Sequence, residues 1–391
     1  MKNSERLHRD AAGHNRGPMS GPRILILTAD IGAGHDLPAQ LLAEGLAARA
    51  PDAEVSVVDG IEAMGPIVQE IGRRSSEFVL ERLPWLYDIE YWFIARFRPT
   101  RWFGSGILFR LGRRGLERLI EAKDPDVIVS TYPGTSEALG RLRRSGRLHR
   151  PCVSAITDLA ALGYWAHPGI DRHLIIHEES RAEVRAIAGA GNDIVHVRGL
   201  SRPGFEAPPE RDAARTALGL PPEGPVVVVS GGGWGVGDLD RAARTVLGVP
   251  GATAVCLCGI NARLQERLRS AFVHEPRVRV EGFTDRMVEC LAAADVLVHS
   301  TAGLTVLEAQ MCGTWAISYG WGVGHIRVNN RAYRRWGLAD VATGPEELTS
   351  ALRRALAASR PRDFDFAALP AAADAVLELS APHPPRAPTA D

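Results

Sequence analysis

Short, mostly apolar runs alternate along the chain with stretches whose apolar residues recur every three to four positions. In the first half, runs at 23–28 (RILILT), 54–58 (EVSVV), 126–130 (DVIVS), 152–156 (CVSAI), 172–176 (RHLII) and 194–197 (IVHV) predict six strands. In the second half, 225–230 (PVVVVS), 253–258 (TAVCLC), 277–281 (RVRVE), 295–299 (DVLVH) and 314–318 (TWAIS) predict five more. Strands with one wet face alternate apolar and polar residues. These runs do not alternate, as expected of parallel strands covered by helices on both faces. Strand–helix–strand succession gives βαβ units and doubly wound sheets.

The series starts twice. Residues 201–224, rich in proline and charge, read as the linker between a domain over 22–200 and a second over 225–380. Two such domains would face each other across a cleft at the carboxyl ends of their strands, where ligands bind. Residues 1–21 and 381–391 read as disordered ends, and the first twenty carry no apolar core of a signal peptide. The uncharged stretch 245–262 is broken by Pro250 and reads as loop plus core strand, so no membrane span is predicted. These features place the chain in the cytoplasm.

Composition adds little beyond this. Of 391 residues, 45% are hydrophobic and 24% charged, which excludes wholesale disorder. Lys plus Arg and Asp plus Glu are 46 each, so no global attraction to nucleic acid is expected. The five cysteines, Cys152, Cys256, Cys258, Cys290 and Cys312, have no metal spacing and form no disulfide scaffold. No metal site is predicted.

Three segments carry chemistry. The first strand runs into Gly32-Ala33-Gly34-His35-Asp36, whose glycines permit a tight strand-to-helix turn. That turn places His35 at the carboxyl edge, where a neutral imidazole can act as a general base. A loop histidine with no role fits the same pattern. Gly32-x-Gly34 with Asp59 imitates a dinucleotide fingerprint, but the third glycine position is Leu37. The second series opens with Gly231, Gly232 and Gly233 directly after PVVVV, exposing backbone N–H groups to an anion. No Gly-Lys-Ser/Thr follows, so this is not a P-loop. Finally, Ser300, Thr301, Ala302, Gly303 and Leu304 open a helix whose free N–H groups could hold a diphosphate. Glu308, one turn further on, could accept both hydroxyls of a ribose, although an isolated helical glutamate is ordinarily solvated.

These blocks carry a resemblance. GAGHDLPA at 32–39, 157–180, VRGLSRPGF at 197–205, SGGGWGVGDL at 230–239, GFTDRM at 282–287 and STAGLTVLEA at 300–309 stand in one order across 23–345. The chain resembles the GT-B glycosyltransferases that glycosylate diacylglycerol, including monogalactosyldiacylglycerol synthases, and is similar to the N-acetylglucosaminyltransferase that makes lipid II. The resemblance implies two Rossmann-like domains and inverting transfer from a UDP-sugar to a lipid or other hydrophobic hydroxyl, with no cofactor. It implies that His35 acts on the acceptor hydroxyl with Asp158 near the acceptor, and that Gly231–Gly233 face the donor phosphates. Phe283 and Thr284 match the segment whose backbone reads uracil. Thr301 to Leu304 match the helix start under the diphosphate, Glu308 the carboxylate on ribose, and Asn329 a donor-side asparagine. Relatives carry glutamines on sugar hydroxyls where this chain has Gly324-His325-Ile326, so the donor sugar does not carry over. The alternatives are a UDP-sugar epimerase of the same fold or a non-catalytic nucleotide-sugar-binding protein.

One stretch stands outside these blocks. Residues 73–118 hold ten of the 24 aromatics, counting 8 Trp, 6 Tyr and 10 Phe, and ten arginines against five acids. Aromatics interleaved with cations suit the headgroup layer of an anionic bilayer, predicting peripheral contact at the inner membrane face. Helices packing their rings inward would show the same composition, and nucleic-acid stacking is the least favoured use.

Overall fold

The computed structural model describes residues 21–29, 33–70, 98–160, 162–301, 303–320, 325–358 and 364–380. The strands of the first domain are Arg23–Thr28 (β1), Glu54–Asp59 (β2), Val127–Ser130 (β3), Cys152–Ile156 (β4), Arg172–Ile175 (β5) and Asp193–His196 (β6). They form one parallel sheet in the order β2-β1-β3-β4-β5-β6. The second domain holds Val226–Ser230 (β7), Thr253–Leu257 (β8), Val278–Glu281 (β9), Val296–His299 (β10), Trp315–Tyr319 (β11) and Asp340–Ala342 (β12). Their parallel order is β12-β11-β10-β7-β8-β9.

Around the first sheet lie Ala33–Arg49 (α1), Gly60–Ala63 (α2), Arg98–Lys123 (α3), Pro133–Arg144 (α4), Leu162–Trp165 (α5) and Arg181–Ala188 (α6). The second carries Arg211–Leu218 (α7), Leu239–Leu247 (α8), Ala262–Ala271 (α9), Met287–Ala293 (α10), Leu304–Met311 (α11), His325–Trp336 (α12) and Pro345–Ala357 (α13). Ala372–Ser380 (α14) closes the described chain.

The eleven expected strands are all present, and the two faces of β1 show why they were legible. Ile24 and Ile26 enter one core cluster while Leu25 and Leu27 enter another, each no more than 1% exposed. Burial on both faces leaves no place for a polar residue, and each such side chain contributes roughly 1.5–3 kcal/mol.

Three boundaries differ from the expectation. Helix α1 begins at Ala33, so Gly34, His35 and Asp36 form its first turn and Pro38 lies inside it. The expected linker is folded from Arg211 onward. There α7 packs on α10, and buried Arg215 bonds Asp295 (2.9 Å) and the Ala293 carbonyl (3.1 Å). A buried guanidinium needs such partners, and they lie in the second domain. Residues 370–380 were assigned to the second domain but cross back to the first. Arg49 pairs with Asp374 (2.6 Å), Arg172 with Glu378 (2.7 Å), and the Arg198 N–H donates to the Pro370 carbonyl (3.1 Å). The small residues of α14 permit this approach: a Cβ at Gly45 would stand 3.5 Å from that of Ala373.

The expectations for 1–20 and 381–391 concern residues outside the described set, as does most of the aromatic, arginine-rich stretch. No helix among the described residues is long and apolar enough to cross a membrane.

Candidate active site

The two sheets present their carboxyl edges to a cleft of about 1090 Å³. The first domain contributes Thr28, Asp36, Leu37, Gln40, Asp59, Ile61, Glu62 and Gln69. The second contributes Ser230, Gly232, Gly233, Trp234, Leu257, Gly259, Gly282, Phe283, Thr284, Met287, Thr305 and Glu308, with Arg202 and Phe205 from the crossover. Parallel strands in both domains end on the same gap, so lining residues 160 or more positions apart in sequence meet there.

His35 sits in the first turn of α1, directly before the lining residues Asp36 and Leu37, and is not itself among the residues that line the cleft. Its Nδ1 lies 3.1 Å from the Thr131 carbonyl. A carbonyl oxygen only accepts, so Nδ1 is the donor, and in the neutral ring the lone pair falls on Nε2. Tyr132 meets the imidazole edge-on with centroids 5.1 Å apart, and buried Trp165 lies 5.9 Å away. The ring is thus oriented from several sides. Beside it, Asp36 Oδ1 accepts from the Thr28 hydroxyl at 2.9 Å.

On the second wall the glycine turn is clamped. The Val236 N–H donates to the Gly231 carbonyl (2.8 Å), the Gly235 N–H to the Gly232 carbonyl (3.2 Å), and the Ser230 hydroxyl accepts from Gly232 N–H (3.1 Å). Gly232 has φ +66°, and a Cβ there would stand 2.5 Å from the Thr301 side chain. Only glycine fits that position.

The neighbouring helix starts differ in what their N–H groups meet. Asp238 caps α8 through Arg241 N–H (3.1 Å), and Asn261 caps α9 through Leu264 N–H (3.0 Å). Helix α11 instead follows Gly303, at φ 78°, without a side-chain cap. Its first N–H groups and the helix dipole remain available to an anion.

Glu308 lines the cleft at 8% exposure, and burial pushes its carboxyl up to about 7, partly offset by the Arg202 guanidinium. It is not the solvated helix residue of the ordinary case. Thr301 holds the turn from within, its hydroxyl 3.4 Å from that of Thr305 and 3.5 Å from His299 Nδ1.

Other expected residues lie elsewhere. Asn329, matched to a donor-side asparagine, is fully buried, and its amide oxygen accepts the Leu159 N–H at 3.2 Å across the interdomain seam. That contact makes it a tie between domains. Asp158 Oδ1 accepts from Ala160 N–H at 3.0 Å and so stabilises its own turn. Gly32, Ala302, Gly324 and the His325 side chain lie outside the described residues. Arg202 and Trp234 went unassigned although both lie in blocks that carried the resemblance. No spacing rule marks a residue on a crossover or on the tip of a glycine turn.

Two parallel six-stranded sheets facing such a cleft define the GT-B architecture, and this chain is a glycosyltransferase of that fold. Residues 35–201 match the family model for monogalactosyldiacylglycerol (MGDG) synthase, and residues 234–358 match that for glycosyl transferases group 1. The resemblance seen in the sequence blocks therefore holds, and the transferase reading prevails over the two alternatives.

The processive diacylglycerol beta-glucosyltransferase of Bacillus subtilis (strain 168) is 25% identical over 338 residues, covering 86% of this chain and 87% of the relative. A probable chloroplastic monogalactosyldiacylglycerol synthase of Glycine max is 28% identical over 308 residues, covering 74% of this chain and 57% of the relative. The crystal structure of Acinetobacter baumannii MurG shares the fold, with a TM-score of 0.59 at 14% identity over 92% of this chain and 99% of that one.

Proposed function

We propose that this enzyme moves a hexose from a UDP-sugar to the hydroxyl of a diacylglycerol-type acceptor, with inversion at the anomeric carbon. The observation that carries the reading is the opposition of the two walls within one cleft. On one side Asp36 and Leu37 line the cleft, with the oriented His35 directly before them in the same helix turn; a glycine turn stands on the other, with a buried carboxylate on the helix that starts without a side-chain cap. Relatives that cover most of the chain are named for transfer to diacylglycerol, which supports the acceptor class.

In a single displacement His35 Nε2 takes the acceptor proton as its oxygen attacks the anomeric carbon. The bond to the diphosphate breaks, and its electron pair leaves on UDP. Of the glycine turn, Gly231 and Gly232 spend their N–H groups on Leu257 and Ser230, so the Gly233 N–H and the first N–H groups of α11 meet that charge, each well-placed donor lowering the barrier by roughly 3 kcal/mol. Glu308 receives the ribose hydroxyls. The test is a panel of UDP-sugars offered to diacylglycerol in vesicles, with products identified by mass. Absence of any glycosylated lipid, alongside hydrolysis or epimerisation of the donor, would remove the proposal.

Two further outcomes follow. Glu308→Ala weakens UDP binding by about 1.5–3 kcal/mol, the range for hydrogen bonds to a charged group, as read by calorimetry. Because the carboxyl titrates at about 7 and only its ionised form accepts both hydroxyls, wild-type affinity rises between pH 6 and 8. The Glu308→Ala variant should lose that slope. Second, wild type sediments with anionic vesicles at low salt and less so at high salt, each arginine near the surface contributing about 1 kcal/mol. Removing the charges of Arg96, Arg98 and Arg101 should weaken attachment; equal indifference of both proteins would assign the stretch to packing.

A further inference from the structure

Trp234 has no part in the transfer described above, yet it is 57% exposed on a turn that cannot yield. Gly235 follows it at φ +62°, where a Cβ would stand 2.1 Å from the Cys258 carbonyl. The Gly233 carbonyl accepts the Ile260 N–H at 2.9 Å, and a Cβ on Gly259 would stand 2.3 Å from that same oxygen. The backbone on both sides of the indole is therefore fixed, and a large apolar ring is held in the cleft rather than folded onto the core. A planar ligand covering the ring would remove its apolar area from water.

The sheet order indicates what covers it. Along the carboxyl edge the strands run β10-β7-β8-β9. The uncapped helix start follows β10, Trp234 follows β7, Leu257 and Gly259 end β8, and Gly282 and Phe283 follow β9. Phe283 is 65% exposed. Between the two aromatic residues the cleft is lined by Leu257 and glycine backbone, with the Cys258 N–H bonded to the Glu281 carbonyl at 2.9 Å. The strand order thus sets one aromatic residue on either side of the β8 end, beside the uncapped helix start.

We propose that Trp234 is a specificity-determining residue whose indole stacks on the nucleobase of the donor, opposite the Phe283 segment. The proposal rests on the UDP-sugar reading and names the wall that holds its flat end. Stacking on an aromatic side chain is tolerant of which base is bound but demands a planar ring.

Calorimetry on the full chain decides it, with UDP and with ribose 5-diphosphate, which lacks the base, on wild type, Trp234→Ala and Trp234→Phe. Loss of base stacking weakens UDP about 5- to 100-fold in the alanine variant. The same variant should bind ribose 5-diphosphate as wild type does, and phenylalanine should restore most of the UDP affinity. Equal loss for both ligands would mean that the indole only props the turn, and unchanged UDP affinity would mean it touches no base; either result overturns the proposal. Unchanged UDP affinity with a raised KM for lipid would assign the ring to the acceptor instead. Wild type that binds ADP or GDP but not UDP sinks the UDP reading and leaves the stacking on Trp234 standing. Wild type that binds no nucleoside diphosphate overturns both.

Discussion

Replacing His35 by alanine lowers turnover by roughly 10²–10⁴ while leaving UDP affinity close to that of wild type, the span usual for loss of a positioned general base. The separation of the two readouts follows from the walls. His35 belongs to the first domain, whereas the groups assigned to UDP, apart from the crossover, belong to the second. Its orientation is built in: Thr131 takes the Nδ1 proton, and Tyr132 and Trp165 bracket the ring. Glutamine at this position keeps a polar group of similar reach but cannot take the proton, so it should fall with alanine. Steady-state kinetics beside calorimetry would settle the matter. Turnover that survives in either variant would remove His35 as the base.

The second large effect is on stability against acid. Burial depresses the imidazoles of His173 and His299 to about 4 and that of His177 to about 3, and each is no more than 3% exposed. His177 Nε2, His173 Nδ1 and His299 Nε2 have no hydrogen-bond partner among the described residues, so nothing compensates a proton placed there. An unfolded histidine titrates near 6.5, above all three folded values. As pH falls below about 6.5 the unfolded chain takes up protons that the folded chain refuses, so stability is full above that pH and declines toward 4. By pH 4.5 the loss is about 2–3 kcal/mol for each, or roughly 6–8 kcal/mol together; Glu308, whose raised carboxyl takes up its proton more readily folded than unfolded, returns about 3, leaving a net loss of roughly 4–5 kcal/mol, a large part of a domain's stability. Urea denaturation at pH 7.5 and 4.5 reads this directly. A midpoint that holds steady across that interval would show that these histidines titrate alike in the folded and unfolded chain. Much of the loss should come from the first domain, since His173 and His177 lie on and just after β5.

The fold was largely legible because interior parallel strands tolerate no polar residue on either face, which leaves unbroken apolar runs such as RILILT and VVVVS. Strand β12 was not. Its three residues, Asp340, Val341 and Ala342, are too few to show a run, and they form a strand only because β11 offers a paired edge. The glycine turns were legible for a related reason, since positive φ and close backbone approach admit no other residue.

What each polar residue does was decided by contacts that no local pattern encodes. Asn329 sits on a helix in the second domain, yet its amide oxygen is taken by a backbone N–H 170 positions earlier. The last helix belongs by sequence to one domain and by packing to the other, where Arg49 and Arg172 pair with Asp374 and Glu378. Glu308 has the sequence context of any helical glutamate. Only closure of the cleft removes its water, raises its carboxyl to about 7 and sets Arg202 beside it. The sequence by itself determined which segments become strands, helices and glycine turns, since those choices rest on burial and backbone freedom within a few residues. Tertiary structure decided which side chains share a cleft and in what charge state, because desolvation and hydrogen bonding depend on atoms that meet only once both sheets have formed.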